Sequence, residues 1–220
     1  MISITNVWKR YHGNVNNKWV LQDINLNIPK GINVGLIGAN GAGKSTLLRL
    51  IAGMDSPDRG SITRSCSVSW PIGLSGGFQS SLTGRQNVKF VARIHGSADK
   101  IQRIINFVEE FAEIGDAFND PVKTYSSGMR SRLAFGLSLA FEFDIFLSDE
   151  ATAVGDKAFK AKAKKAFKHK VGSKGLIIVS HGEGILKELC QAGIWLHQGK
   201  ALWYDDIKIA ITDYHNSMKT

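Results

Sequence analysis

Apolar positions divide the chain into short runs of two different periods. Near the N-terminus ISITNV, VLQDINLNI and INVGLIG alternate or run apolar over a few residues, and the polar loop HGNVNNK and Pro29-Lys30-Gly31 part them. That pattern predicts strands joined by turns. From Thr46 the run LLRLIAGM switches to helical spacing and stops near Asp55, Pro57 and Gly60. Residues 85–118 keep a helical pattern and are poor in Gly and Pro, residues 125–141 predict a further helix, and DIFLSDE and GLIIVSH read as buried strands. Phe159, Ala163, Ala166 and Phe167 recur at i, i+4, i+7 and i+8, the stripe of one more amphipathic helix. Strands apolar throughout, alternating with helices, predict an α/β fold on a largely parallel sheet. Residues from about 80 to 140 form a mostly helical lobe inserted into a single domain spanning 1–220, with no internal repeat and no low-complexity segment.

Composition narrows the class. With 220 residues, 43% of them hydrophobic and 9% aromatic, the chain can bury one substantial core, which excludes a disulfide-held miniprotein and a disordered chain. Lys and Arg number 28 against 19 Asp and Glu, yet the segment between Lys157 and Lys174 holds eight lysines and no acid. That segment therefore carries almost all of the net +9 and the remainder is nearly neutral. Its lysines suit a solvated helix face, anionic lipid headgroups or a polyanionic cargo. Nucleic acid is not an expected partner, because aromatic and basic residues do not interleave as a stacking groove requires. Cys66 and Cys190 are isolated and match neither a redox pair nor a zinc cluster, which points to a reducing compartment. MISITNVWKR lacks the regions of a secretory signal. The most apolar stretch, residues 133–147, holds Glu142 and Asp144 and is shorter than the roughly 20 apolar residues of a membrane span.

The chemistry begins at residues 38–46, GANGAGKST, between the apolar strand NVGLI and the helical LLRLIAGM. A strand, a glycine-rich loop and a helix in that order form a P-loop. Gly38, Gly41 and Gly43, with Asn40 and Ala42 between them, let successive N–H groups and the helix N-terminus face phosphates. Lys44 supplies a charge for the β and γ phosphates, Ser45 a hydroxyl for Mg²⁺, and Thr46 a cap or an α-phosphate contact. Binding of a nucleoside triphosphate follows. At a second strand end Ile145, Phe146 and Leu147 run into Ser148, Asp149 and Glu150. Asp149 is placed to hold the metal, and Glu150, pointing to the other side of the strand, to polarise an attacking water.

With these motifs fixed, YSSGMRSRLAFGLSLA from Tyr125 resembles the signature helix of the ATP-binding cassette (ABC) proteins. Ser126 and Gly128 take the serine and second glycine of the family's LSGGQ, Arg132 and Ala134 follow in register, and Asp149 lies 23 residues beyond Ser126. Tyr125, Ser127 and Met129 depart from the consensus. Leu74-Ser75-Gly76-Gly77 spells LSGG outright, but it precedes the helical lobe, lacks an Arg-bearing helix after it and lies far from Asp149.

The resemblance implies a P-loop nucleoside triphosphatase, an ABC cassette with a RecA-like α/β core, an antiparallel β subdomain and an inserted helical subdomain. It implies ATP and Mg²⁺ as cofactors, and Gln79 as the glutamine that reaches Mg²⁺ or the attacking water. It implies Asp156 in the loop Ala153-Val154-Gly155-Asp156, His181 at the γ phosphate, and Ser126, Ser127 and Gly128 at the nucleotide of a facing copy. Tyr11 is the best match for the aromatic that stacks on adenine, with Trp8 and Trp19 as competitors.

Ser69-Trp70-Pro71, the segment GLSGGFQSSLTGRQNVKFVAR, the YSSGM signature and EATAVGD are similar to the ATP-binding subunits of bacterial capsular polysaccharide exporters. O-antigen and teichoic-acid exporters share much of the pattern, some with an added C-terminal domain, whereas this chain stops at Thr220 and suits a short capsule-type subunit. The expected assembly is a head-to-tail homodimer around two ATP, peripheral to the cytoplasmic face of the inner membrane. It works with a separate integral membrane subunit that carries the polysaccharide. An ABC ATPase of another transporter is the first rival. A soluble one acting on nucleic acid has only the basic helix in its favour.

Overall fold

A strand buries one face when every second side chain is apolar, and both faces when all are. The computed structural model describes residues 1–11, 18–73, 77–96, 98–149, 156–172, 174–180 and 182–218. In it β1 (Ile2–Lys9) and β2 (Leu21–Ile28) are of the first kind, and β3 (Asn33–Ile37), β6 (Ile145–Asp149) and β7 (Gly175–Val179) of the second. The remaining strands are β4 (Arg59–Arg64), β5 (Val68–Pro71), β8 (Ala192–His197) and β9 (Lys200–Tyr204). The helices are α1 (Lys44–Ala52), α2 (Gly84–His95), α3 (Ile101–Ala112), α4 (Ser127–Leu139), α5 (Lys157–Val171), α6 (Glu183–Leu189) and α7 (Ile207–Ser217). No helix among the described residues is long and apolar enough to cross a membrane.

One compact unit comprises Met1–Pro71, Phe143–Glu150 and Ser173–Thr220. It holds an antiparallel sheet in the order β2-β1-β4 and a second sheet in the order β5-β6-β7-β3-β8-β9, parallel except for β9. Because β3, β6 and β7 run parallel side by side, their C-terminal ends meet at one sheet edge. Leaving β3 the chain crosses to β5 on one side, and it later returns to β8 on the other, so this edge is a switch point where α/β sheets bind ligands. Along β1 and β2 the alternation slips at Asn6 and Asp23, both at φ 49°. The amide Nδ2 of Asn6 donates to Asp23 Oδ1 at 2.9 Å, so the two irregularities support one another. The resulting shift brings Lys9 to the buried side, beside Val7.

The other unit comprises Ile72–Glu142 and Ala151–Gly172. Phe111 of α3 stacks on Phe135 of α4 with centroids 6.1 Å apart and meets the edge of Phe159 of α5 at 5.7 Å. The helical pattern over 85–118 is broken at Gly96, where a Cβ would lie 2.6 Å from the Ala92 carbonyl oxygen, and a new helix starts at Ile101. In α5 the expected stripe is the packed one, since Phe159, Ala163 and Phe167 are buried while Lys157, Lys160, Lys164, Lys165 and Lys168 are exposed on the opposite face.

Candidate nucleotide-binding site

The loop between β3 and α1 owes its path to two glycines. Gly38 sits at φ 149°, and a Cβ there would meet the Leu196 carbonyl oxygen at 2.4 Å. Gly43, at φ 100°, opens α1, and its Cβ would press on Leu21 and Val20 at 2.9 and 3.1 Å. Only glycine passes there without strain. Below the loop Leu47, Leu48, Leu50 and Ile51 anchor α1 in the core. The Arg64 guanidinium donates to the Leu50 and Ile51 carbonyls at the far end of the helix.

The N-terminus of α1 has no side-chain cap and no acid in its first turn, so its N–H groups and positive dipole end suit an anion. The Lys44 ammonium donates to the Gly38 and Ala39 carbonyls at 2.8 and 2.9 Å, which folds it back over the loop. Asn40, Gly41, Gly43, Lys44, Ser45 and Thr46 line a cavity of about 310 Å³ together with Asp149 from the end of β6, Val179 from the end of β7, Val20 and Tyr11. Gly38 and Lys44 reach an adjoining recess of about 140 Å³ with Ser180. Ala42 closes the turn, its N–H donating to the Ala39 carbonyl at 3.1 Å. A cation, a helix N-terminus, a hydroxyl and a carboxylate around one cavity fit a polyphosphate and a Mg²⁺ ion. That ion needs only one or two protein ligands beside phosphate oxygens. Among the described residues no group of three His, Cys, Asp or Glu converges.

Of the three aromatic candidates near the N-terminus, only Tyr11 lines the cavity. Trp19 holds the guanidinium groups of Arg10 and Arg59 at 4.7 and 5.3 Å from its centroid and takes Trp8 edge-on at 5.3 Å.

The signature segment makes a second cavity, of about 650 Å³, lined by Ser126, Ser127, Gly128, Met129 and Ser131 with Glu113, Ile114, Arg132 and Asp156. Ser126 caps α4, its Oγ accepting from the Met129 N–H at 3.2 Å, so position 129 serves the cap through its backbone whatever its side chain. Tyr125 stands where the family has leucine. It is buried, and its hydroxyl donates to the Ala117 carbonyl at 2.6 Å beside Gly84, where a Cβ would lie 2.3 Å from the tyrosine hydroxyl oxygen. The Arg132 guanidinium donates to Asp156 at 2.7 Å and lies 4.6 Å from the Phe159 ring centre. Asp156 caps α5, and the Phe159 N–H it accepts, with Arg132 beside it, holds its carboxyl below the usual carboxylate range.

Gln79 is exposed. Its backbone is clamped by Asn87, a buried side chain that sequence reading missed. Asn87 Oδ1 accepts from the Gln79 N–H at 2.8 Å, and Nδ2 donates to the carbonyls of Gln79, Leu82 and Thr83. The signal available was a capping box, Thr83 with Gln86, followed at once by an amide. The three carbonyls also accept the backbone N–H groups of Leu82, Val122 and Asn87, so replacing Asn87 by Ala takes the partner from the Gln79 N–H alone. A loss of about 1–3 kcal/mol in urea unfolding is expected, together with reduced nucleotide turnover. Glu150 and His181 lie outside the described residues, as do Ala153, Val154 and Gly155 and most of the rejected Leu74-Ser75-Gly76-Gly77.

Comparison with known proteins places this geometry. The ABC transporter family profile matches residues 21–153. The chain is 52% identical over 219 residues to the polysialic acid transport ATP-binding protein KpsT of Escherichia coli, covering 99% of this chain and 100% of that one. It is 44% identical over 218 residues to the capsule polysaccharide export ATP-binding protein CtrD of Neisseria meningitidis serogroup B, covering 99% and 100%. A dimeric ATP-binding cassette, MJ0796, solved in a post-hydrolysis state bound to ADP and Pi, superposes with a TM-score of 0.75 at 22% identity, covering 94% of this chain and 99% of that one. The nucleotide loop, the signature turn and full-length similarity to ATP-binding proteins of transporters agree, and the chain belongs to the ABC transporter family.

Proposed function

We propose that this chain is the ATP-hydrolysing subunit of a transporter that exports capsular polysaccharide across the bacterial inner membrane. The observation that carries the chemistry is the cavity where Lys44, Ser45 and Asp149 converge at the switch point of the parallel sheet. The cargo rests on full-length similarity to proteins named for polysialic acid transport and capsule polysaccharide export.

In this reading 1–220 is one cassette with a helical subdomain at about 80–140. The α1 N-terminus and the Lys44 ammonium bind the phosphates of ATP. Ser45 and Asp149 hold Mg²⁺, with Gln79 completing its surroundings. The ion, when bound, neutralises charge developing on the phosphates. Glu150 orients the attacking water by taking its proton, and His181 steadies the γ phosphate. Ser126, Ser127 and Gly128 act on the nucleotide of a second copy, so the working unit is a head-to-tail homodimer around two ATP. Closing that dimer drives a separate membrane subunit from the cytoplasmic face, because ATP favours the closed arrangement until its γ phosphate leaves.

A strain carrying Glu150→Gln tests the assignment. The amide keeps the shape of the side chain but accepts no proton, so polymer synthesis is expected to continue while capsule antigen accumulates inside the cell. Normal surface capsule beside a defect in moving some small molecule would contradict the cargo.

A further inference from the structure

Tyr11 is held from behind by a network that the reaction does not otherwise use. Its hydroxyl donates to Asp55 Oδ2 at 3.0 Å, and the other oxygen of that carboxylate accepts from the Lys9 ammonium at 2.8 Å. Lys9 donates in addition to the Ser56 carbonyl at 2.8 Å and lies 5.1 Å from the centre of the Tyr11 ring. The Lys9 side chain is 9% exposed and Asp55 20%, while Tyr11 itself is 36% exposed. A buried cation paired with a carboxylate and a carbonyl is fixed in place, since leaving it unpaired is costly. A ring tied at its hydroxyl and covered on one side by that cation keeps one rotamer, whereas a tyrosine hinged only at its Cα would sample several. Asp55 follows α1 directly, just past the Schellman turn in which the Met54 N–H donates to the Arg49 carbonyl at 3.0 Å. The network therefore ties the ring to the same helix whose N-terminus faces the phosphates.

We propose that Asp55 and Lys9 are positioning residues that pre-set the Tyr11 ring to receive the adenine base. This rests on the nucleotide reading of the cavity and on Tyr11 as its stacking aromatic. Burial draws the Lys9 pKa down, but Asp55 with Asp58 and Tyr11 together raise it; burial draws the Asp55 pKa up, but Lys9, the Ser56 N–H and the Tyr11 hydroxyl together lower it. Both partners stay charged through the neutral range.

The test compares purified Tyr11→Phe, Asp55→Ala and the double variant with wild type. KM and kcat are measured for ATP, and affinity is measured for inorganic tripolyphosphate, which has no base to stack. Each single variant is expected to raise the KM for ATP about five- to tenfold, the worth of ordering one ring, with kcat within about twofold and tripolyphosphate affinity unchanged. The double variant should be no worse than Asp55→Ala alone, because both changes cut one link. A Tyr11→Phe protein with wild-type KM, or losses that multiply in the double variant, would overturn the proposal. So would an Asp55→Ala protein that weakens tripolyphosphate as much as ATP, since that marks general damage to α1. Tyr11→Ala separates the layers. If removing the whole ring leaves KM unchanged, the stacking assignment falls and the proposal with it. A wild-type protein that does not bind tripolyphosphate would bring down the nucleotide site itself.

Discussion

Lys44→Ala is expected to lower ATP hydrolysis by about 10²–10³-fold while the protein remains folded. The ammonium donates to the Gly38 and Ala39 carbonyls of its own loop, and the helix below is anchored by Leu47, Leu48, Leu50 and Ile51. Alanine at the first position of α1 is also a good helix former. The variant thus separates charge at the phosphates from stability. Wild-type turnover in a folded Lys44→Ala protein would remove the loop from the reaction.

Gly128→Leu is expected to behave more unusually, with activity and stability moving apart. Among the described residues a Cβ at Gly128 would meet only the Ser126 Oγ, at 3.8 Å, so the backbone there accepts a Cβ. A helix former in place of glycine near the start of α4 stabilises by roughly 0.5–1 kcal/mol. The same side chain projects beside the cavity lined by Ser126, Ser127 and Met129, where a facing nucleotide is expected to dock. Hydrolysis should fall by about 100-fold or more as Tm holds or rises. Leucine at Gly76, in the earlier LSGG, should leave hydrolysis near wild type. Equal losses at both positions in folded protein would leave the signature unassigned.

What could be read from the chain alone follows from how local each feature is. The P-loop is contiguous, its glycines and lysine set by the backbone they must allow, so nine neighbouring residues announce it. The buried strands β6 and β7 were legible because apolar runs of their length have few other uses. By contrast β4 is exposed along nearly its whole length and β9 is an edge strand, so neither carries the apolar period that marks a strand. The α5 stripe was legible, but its Ala166 is only partly buried, since the packed face turns instead through Phe167 to Val171. The groups that position the site were the least visible. Lys9 meets Asp55 across 46 residues and Arg132 meets Asp156 across 24, pairings that only the folded chain defines. Asn87 looked like a polar residue on a helix, because its four hydrogen-bond partners are all backbone groups.

In the proposed function each catalytic site joins the P-loop of one copy to the signature of another. Mixing Lys44→Ala with Gly128→Leu protein tests it most directly, by measuring ATP hydrolysis of the two variants apart and after equilibration in equal amounts. A mixed head-to-tail dimer regains one site in which an intact Lys44 loop faces an intact Gly128 turn. With half of randomly paired dimers mixed and one of two sites restored in each, activity should rise to about a quarter of wild type. A mixture no more active than the separate variants would contradict a site shared between copies.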